Sequence, residues 1–205
     1  RILFGAFFQD TSYLNGMEPI EWRVLDVADG SALLLSEDLL MPKPYHKKWE
    51  DVTWEKSSLR YWLNEDFFEN VFTEEEKKVI VLSDLTNPRN PKYGTPGGSD
   101  TQDYVFLLSI EEAERYLATE AERMAKPTGY AIGHGSWTNS DNGNGWWWLR
   151  SPGRKRFEAA DVHPEGDVML HGGCGTIYEG IRPALWINYM EYLRLEDDLP
   201  LLAVE

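Results

Sequence analysis

Cysteine occurs once in 205 residues, at Cys174, which excludes an internal disulfide framework and any zinc site built from several cysteines. No apolar run has the length of about 18 residues that a membrane-spanning helix requires. Basic side chains are scarce, 20 against 35 acidic ones, for a formal charge of −15. Duplex nucleic acid is thereby disfavoured, because its phosphates must be neutralised by Lys and Arg, and an anionic membrane surface is disfavoured for the same reason. Four familiar signatures are missing: G-x-S-x-G, H-E-x-x-H, the Walker-type G-x-x-x-x-G-K-S and the dinucleotide-binding G-x-G-x-x-G. There are no internal repeats and no linker between two cores. The chain opens at Arg1 without methionine or an apolar signal stretch, the pattern of a trimmed fragment whose targeting segment is missing rather than absent. The compartment stays open, with a bacterial cell surface or secretion placed ahead of the cytoplasm.

What is present is a folding composition, 42% hydrophobic and 13% aromatic. Residues 20–27 read as a strand, Asp29-Gly30 as a hairpin turn and Ala32 to Leu35 as a return strand buried on both faces. Met41 to Val52, with two prolines, is irregular. Ser57 or Ser58 caps a helix through Leu59, Trp62, Leu63, Phe67 and Val71. Thr73 with Glu76, and Ser109 with Glu112, are capping boxes. The first opens a short helix running on into Val79, Ile80, Val81 and Leu82; the second opens one through Ala113, Tyr116 and Leu117. Between them, residues 87–103 form a long polar loop and residues 104–108 a short buried strand. From Lys126 onward aromatics, glycines and asparagines dominate. The expectation is a single α+β domain over 1–205, with a core at 4–188 and an extension at 189–205. It has a mixed sheet, two to three helices and a loop-rich second half.

The pairing of Trp146-Trp147-Trp148-Leu149-Arg150-Ser151-Pro152-Gly153 with Gly180-Ile181-Arg182-Pro183-Ala184-Leu185-Trp186 resembles a bacterial domain family of unknown function. Residues 18–25, 58–64 and 103–109 share the resemblance, which runs from about Phe4 to Asn188. It implies a C-type lectin-like fold, in the branch of the formylglycine-generating enzymes and the variable proteins of diversity-generating retroelements. Such a looped fold should bring strands 20–27 and 181–187 near one another. It implies a non-catalytic module that binds a protein, glycan or small ligand through the 154–179 hairpin face. The rivals are a divergent enzyme of the formylglycine-generating type and a structural domain of a larger bacterial surface protein. The partner is accordingly an unknown protein or glycan, with no nucleic acid and no membrane insertion.

Side-chain alternation puts Trp146 and Trp148 on one face of a strand and Trp147 on the other. Arg150 and Arg182 lie in apolar runs, where a guanidinium must be paired; they read as fork donors to carboxylates holding loops, with substrate clamps as the alternative. His163-Pro164-Glu165-Gly166 reads as a type I turn. It sets Val162 against Val168 and Ala160 against Leu170, both pairs turned inward. Asp161, His163, Met169 and His171 then fall on the outer face, and with Arg156, Phe157 and Tyr178 are expected to make one exposed binding surface. The two histidines are too far apart in this register to share a metal. Cys174 among glycines is either a structural thiol or a nucleophile with His171 as its base, and the paired cysteines of the formylglycine-generating enzymes cannot be formed. No cofactor is required. Calcium is the more plausible ion for the loops, through Asp100, Asp103, Asp141, Asn142 and Asn144, since hard cations take several oxygens; the same residues are ordinary turn formers.

Overall fold

The computed structural model describes residues 1–12 and 14–198. Its first sheet is five-stranded and antiparallel, in the order β1-β2-β3-β12-β5, from β1 (Ile2–Phe7), β2 (Glu18–Ala28), β3 (Ser31–Ser36), β5 (Ile80–Val81) and β12 (Ala184–Asn188). Asp29 at φ 51° and Gly30 at φ 78° make the β2–β3 turn, the two left-handed residues that match strand twist in a tight hairpin. Strand β3 lies between β2 and β12, so Leu33, Leu34 and Leu35 are all buried. Each such leucine contributes about 2 kcal/mol by leaving water. Residues 20–27 and the β12 segment thus flank the same strand and share one sheet.

The second sheet runs β10-β9-β8-β11-β4, from β4 (Pro42–Pro44), β8 (Trp147–Pro152), β9 (Glu158–Val162), β10 (Val168–Cys174) and β11 (Tyr178–Gly180). Its pairings are antiparallel except for β11 beside β8. A small third pairing joins β6 (Ser83–Leu85) to β7 (Thr101–Asp103). One hydrophobic cluster runs through the molecule from Phe4 to Tyr192.

Helices are short and more numerous than the two or three expected. Ser57 caps α1 (Ser58–Trp62), which widens to a π turn over Leu63–Phe67 before α2 (Phe68–Val71). Both capping boxes form, on α3 (Glu74–Val79) and α4 (Ile110–Tyr116). Thr119 and Thr128 cap α5 (Glu120–Arg123) and α6 (Gly129–Gly133), and α7 (Tyr189–Asp198) packs on β3, β12 and α3. The expected extension 189–205 is therefore helical as far as 198, and its remainder lies outside the described residues.

Two local readings need correction. The α3 helix stops at Val79, because Ile80 and Val81 turn extended to pair with Ile187 and Trp186 at the sheet edge. Residues 104–108 are buried as expected but form no strand; among the described residues one bridge, Phe106 to Ala184, is their only ladder contact. Several of their other backbone groups are taken by Asn64 and Arg150. Asn64 accepts from the Tyr104 and Val105 N–H groups and donates to the Val105 carbonyl, while Arg150 reaches the carbonyls of Leu107 and Leu108.

Candidate functional site

Strand β9 meets β10 in the expected register near the turn, with Val162 against Val168 and Asp161 against Met169, and the His163 N–H donates to the Asp167 carbonyl. Beyond Met169 the register slips, and pairing resumes only at Gly173 with Ala159. Three residues of β10 there oppose one of β9, so the expected pair Ala160 and Leu170 does not form. Gly172 permits the bulge: its φ is +66°, and a methyl group in its place would stand 2.0 Å from the Ala159 carbonyl oxygen. Strand β8 slips opposite the same stretch. Asn90 clips both irregular strands by donating to the carbonyls of Pro152 and Leu170.

The consequence is a hollow. Trp148 pairs with Asp161, Gly173 with Ala159, and Gly180 with Trp147, so alternation puts Trp146, Trp148, Asp161, Gly173 and Glu179 on one face of the sheet. A cavity of about 430 Å³ opens there, walled by Trp137, Trp146, Tyr178 and His171 and carrying Asp161 and Glu179. Asp161 is 2% exposed and Glu179 is 8% exposed. A methyl group added at Gly173 would lie 2.6 Å from Glu179 Oε1 and 2.9 Å from Asp161 Oδ2, so both carboxylates close over this glycine. Asp161 Oδ1 and Glu179 Oε2 have no hydrogen-bond partner.

Burial pushes the Asp161 carboxyl up to about 7, against the pull of the Gly173 N–H. Burial also holds Glu179 well above the usual carboxylate range, and the neighbouring Asp161 and Cys174 push it further. Two buried carboxyl groups side by side favour a shared or retained proton. No Lys or Arg among the described residues makes an ion pair with either. Lys43 stands opposite Glu179 in the β4–β11 register, but its ammonium lies 4.2 Å from the centroid of the Trp62 ring.

Asp161, His171 and Tyr178 therefore meet in the cavity, while the exposure expected of Asp161 is wrong: it is buried against Trp148. His163 packs edge-on against Trp146, with ring centroids 4.4 Å apart, and half-buried Met169 lies opposite Asp161. Arg156 and Phe157 go elsewhere. Arg156 lines a separate hollow with Asp51, Thr53 and Lys56, and Phe157 stacks near Trp49 at 5.0 Å between centroids. Of the two arginines, Arg150 forks onto both Glu112 oxygens as expected. Arg182 instead donates to the carbonyls of Ser36 and Arg123 and lies 5.1 Å from the Trp147 ring centroid. Without a carboxylate in contact, burial pushes Arg182 down to about 9.

The residues read for calcium are largely engaged. Asp103 is buried and accepts from Arg60, Trp54 and Thr101, and Asp100 accepts from the Asn87 N–H. Asn142 accepts from the Asn144 N–H, both asparagines donate to the Pro164 carbonyl, and Asp141 accepts from Ser140. Among the described residues, the closely spaced donor group is His163, Glu165 and Asp167 at the β9–β10 turn, whose ligand atoms lie within 4.8 Å of one another. Cys174 Sγ lies 3.2 Å from Thr176 Oγ1. No helix among the described residues is long and apolar enough to cross a membrane.

Sequence reasoning missed Glu179 and Trp137. Glu179 precedes Gly180 in a motif read as a strand, but its inward turn depends on pairing with β4, a three-residue strand within a stretch read as irregular. Trp137 sits in a loop with no periodic signal. No curated protein and no solved structure matches the chain. A family model described as a domain of unknown function, DUF6273, matches residues 29–189, beginning in the β2–β3 turn.

Proposed function

The chain belongs to the DUF6273 family, and from that premise we propose that it is a non-catalytic recognition module of C-type lectin-like architecture, holding its ligand in the cavity between β9, β10 and β11. The observation that carries the reading is the unpartnered Asp161–Glu179 pair beneath exposed aromatic rings. Unpaired buried carboxylates are costly to the fold, and a ligand that supplies donors offsets that cost. Trp137 is 55% exposed and Tyr178 64%, as expected of rings that wait for a partner. The architecture is supported by the first and last strands sharing one sheet, while the loop-rich second sheet carries the cavity.

One observation favours a second reading. A carboxyl pair with raised proton affinity can serve as acid and base in bond cleavage. The oxidative chemistry of the formylglycine-generating enzymes has no second cysteine to use. Calcium would have to compete with the turn bonds of Asn142 and Asn144, and melting with and without millimolar calcium tests that role. The recognition reading is tested by a screen of amines, peptides and glycans against the purified protein. Any ligand found should be lost or weakened at least tenfold in Trp137→Ala and Tyr178→Ala, whose exposed rings leave the core intact. Ligands bound undiminished by both variants would move the site away from this cavity, and turnover of a bound glycoside would favour the enzyme.

A further inference from the structure

We propose that the Asp161–Glu179 pair, with Trp137, Trp146 and Tyr178, forms a binding site for a primary alkylammonium group, the head of a small amine or of a lysine side chain. The inference rests on the recognition reading above and names the ligand chemistry of that cavity. Asp161 Oδ1 and Glu179 Oε2 are buried acceptors without donors. An ammonium carries three N–H donors on a point charge, enough to reach one oxygen from each carboxylate and retain a third.

Charge selects against the neutral alternatives. A sugar hydroxyl can donate to a carboxylate but cannot replace the proton that the buried pair retains, whereas a cation can displace that proton and neutralise the charge it leaves. The aromatic walls then add the attraction of ring faces for a cation and an apolar path for its alkyl chain. The chain's own cations do not compete, since Lys43 is committed to Trp62. The formal charge of −15 draws cations toward the surface and repels anionic ligands.

Geometry separates ammonium from the other cations. A guanidinium holds its donors in a planar fork that suits both oxygens of one carboxylate, whereas the unpartnered oxygens here, Asp161 Oδ1 and Glu179 Oε2, belong to two. A quaternary ammonium has no N–H to give. A divalent metal needs more ligands than two carboxylates, and neither Asp161 nor Glu179 belongs to a group of three closely spaced His, Cys, Asp or Glu donors among the described residues.

The test is calorimetric titration of the whole protein at neutral pH with n-butylammonium and with Nα-acetyl-lysine methylamide. Tetramethylammonium, n-butanol and a neutral methyl glycoside serve as comparisons. Both amines should bind, tetramethylammonium should bind at least about tenfold more weakly, and butanol and the glycoside should not register. Equal affinity for the two amines assigns the site to small amines; a lysine derivative bound at least tenfold tighter assigns it to a peptide side chain. Asp161→Asn and Glu179→Gln, which keep shape, should each weaken the amines by at least about tenfold. Circular dichroism checks that the variants fold, and Trp137→Ala, at an exposed position, provides an independent loss. Amines that fail to bind the folded protein overturn the proposal, as do amines bound equally well by both carboxylate variants. A glycoside bound and then lost in Glu179→Gln overturns the ligand class while leaving recognition by this cavity in place. If nothing in the broader screen depends on Trp137 or Tyr178, the recognition reading fails as well.

Discussion

Burial penalises the charged forms of both Asp161 and Glu179, and Glu179 is penalised further by the neighbouring Asp161. In an unfolded chain both titrate near 4. Between about pH 4 and 7 the native protein therefore keeps a proton that the unfolded chain has released, and stability falls as pH rises through that window. Above about 7 Asp161 is ionised in both states and its contribution no longer changes. The Cys174 thiol and the Glu179 carboxyl bear on the same space, with His171 and Tyr178 at its wall. Asp161→Asn removes the titration but keeps the shape. At pH 8 this variant should be clearly more stable than the parent, and at pH 4.5 close to it, in urea denaturation at the two values. Equal effects at both would show that packing, not protonation, controls the site. Arg150 is the opposite case, a buried cation whose two terminal nitrogens hold both Glu112 oxygens, with only Nε left without a partner. Arg150→Ala should cost about 3–5 kcal/mol, and Arg150→Lys should recover little, because a single ammonium cannot serve both Glu112 oxygens and the carbonyls of Leu107 and Thr86. At this scale the sequence revealed that Arg150 must be paired, since charge inside an apolar run demands it. It did not reveal that Arg182 would be served by carbonyls, which are available from any residue and leave no mark in composition.

Elements set by neighbours in the chain were legible. The Thr73 and Ser109 boxes and the Asp29-Gly30 turn depend on residues three or fewer apart, and each formed as read. Elements set by distant partners were not. Residues 104–108 have the composition of a strand, but Asn64 and Arg150 occupy the backbone groups a ladder would use. Strand β1 was not assigned, because its place depends on β2 at the sheet edge. The β9–β10 hairpin shows both cases: its turn and first pairs were fixed by Pro164 and Gly166, and its bulge by contact with a neighbouring strand. Gly172 makes the bulge testable. Gly172→Ala adds a backbone clash to left-handed strain and should cost at least about 2 kcal/mol and displace Gly173 from the carboxylates. Gly30→Ala, at φ +78° with open space around it, should cost only about 1 kcal/mol. Paired denaturation curves of the two variants separate strain from strain with collision.

Over the whole molecule two kinds of negative charge act together, and they respond to different conditions. Most of the excess carboxylates are exposed, and their mutual repulsion is long-range and screened by salt over a Debye length of about 10 Å at 0.1 M. The Asp161–Glu179 repulsion acts inside the second sheet, where salt screens it far less. Lowering the pH from 8 to 5.5 relieves the buried pair first, since surface carboxylates remain ionised at 5.5 while Asp161, pushed up to about 7, takes a proton. Raising salt from about 0.05 to 0.5 M at pH 8 relieves the surface and leaves the pair nearly untouched. The parent should therefore gain melting temperature from both treatments. Asp161→Asn should gain as much from salt as the parent does but clearly less from acid. Thermal denaturation of the two proteins over a grid of pH and salt measures both responses. If the variant keeps the full gain from acid, the pH dependence belongs to the surface, and the buried pair is already neutralised by a partner within the chain.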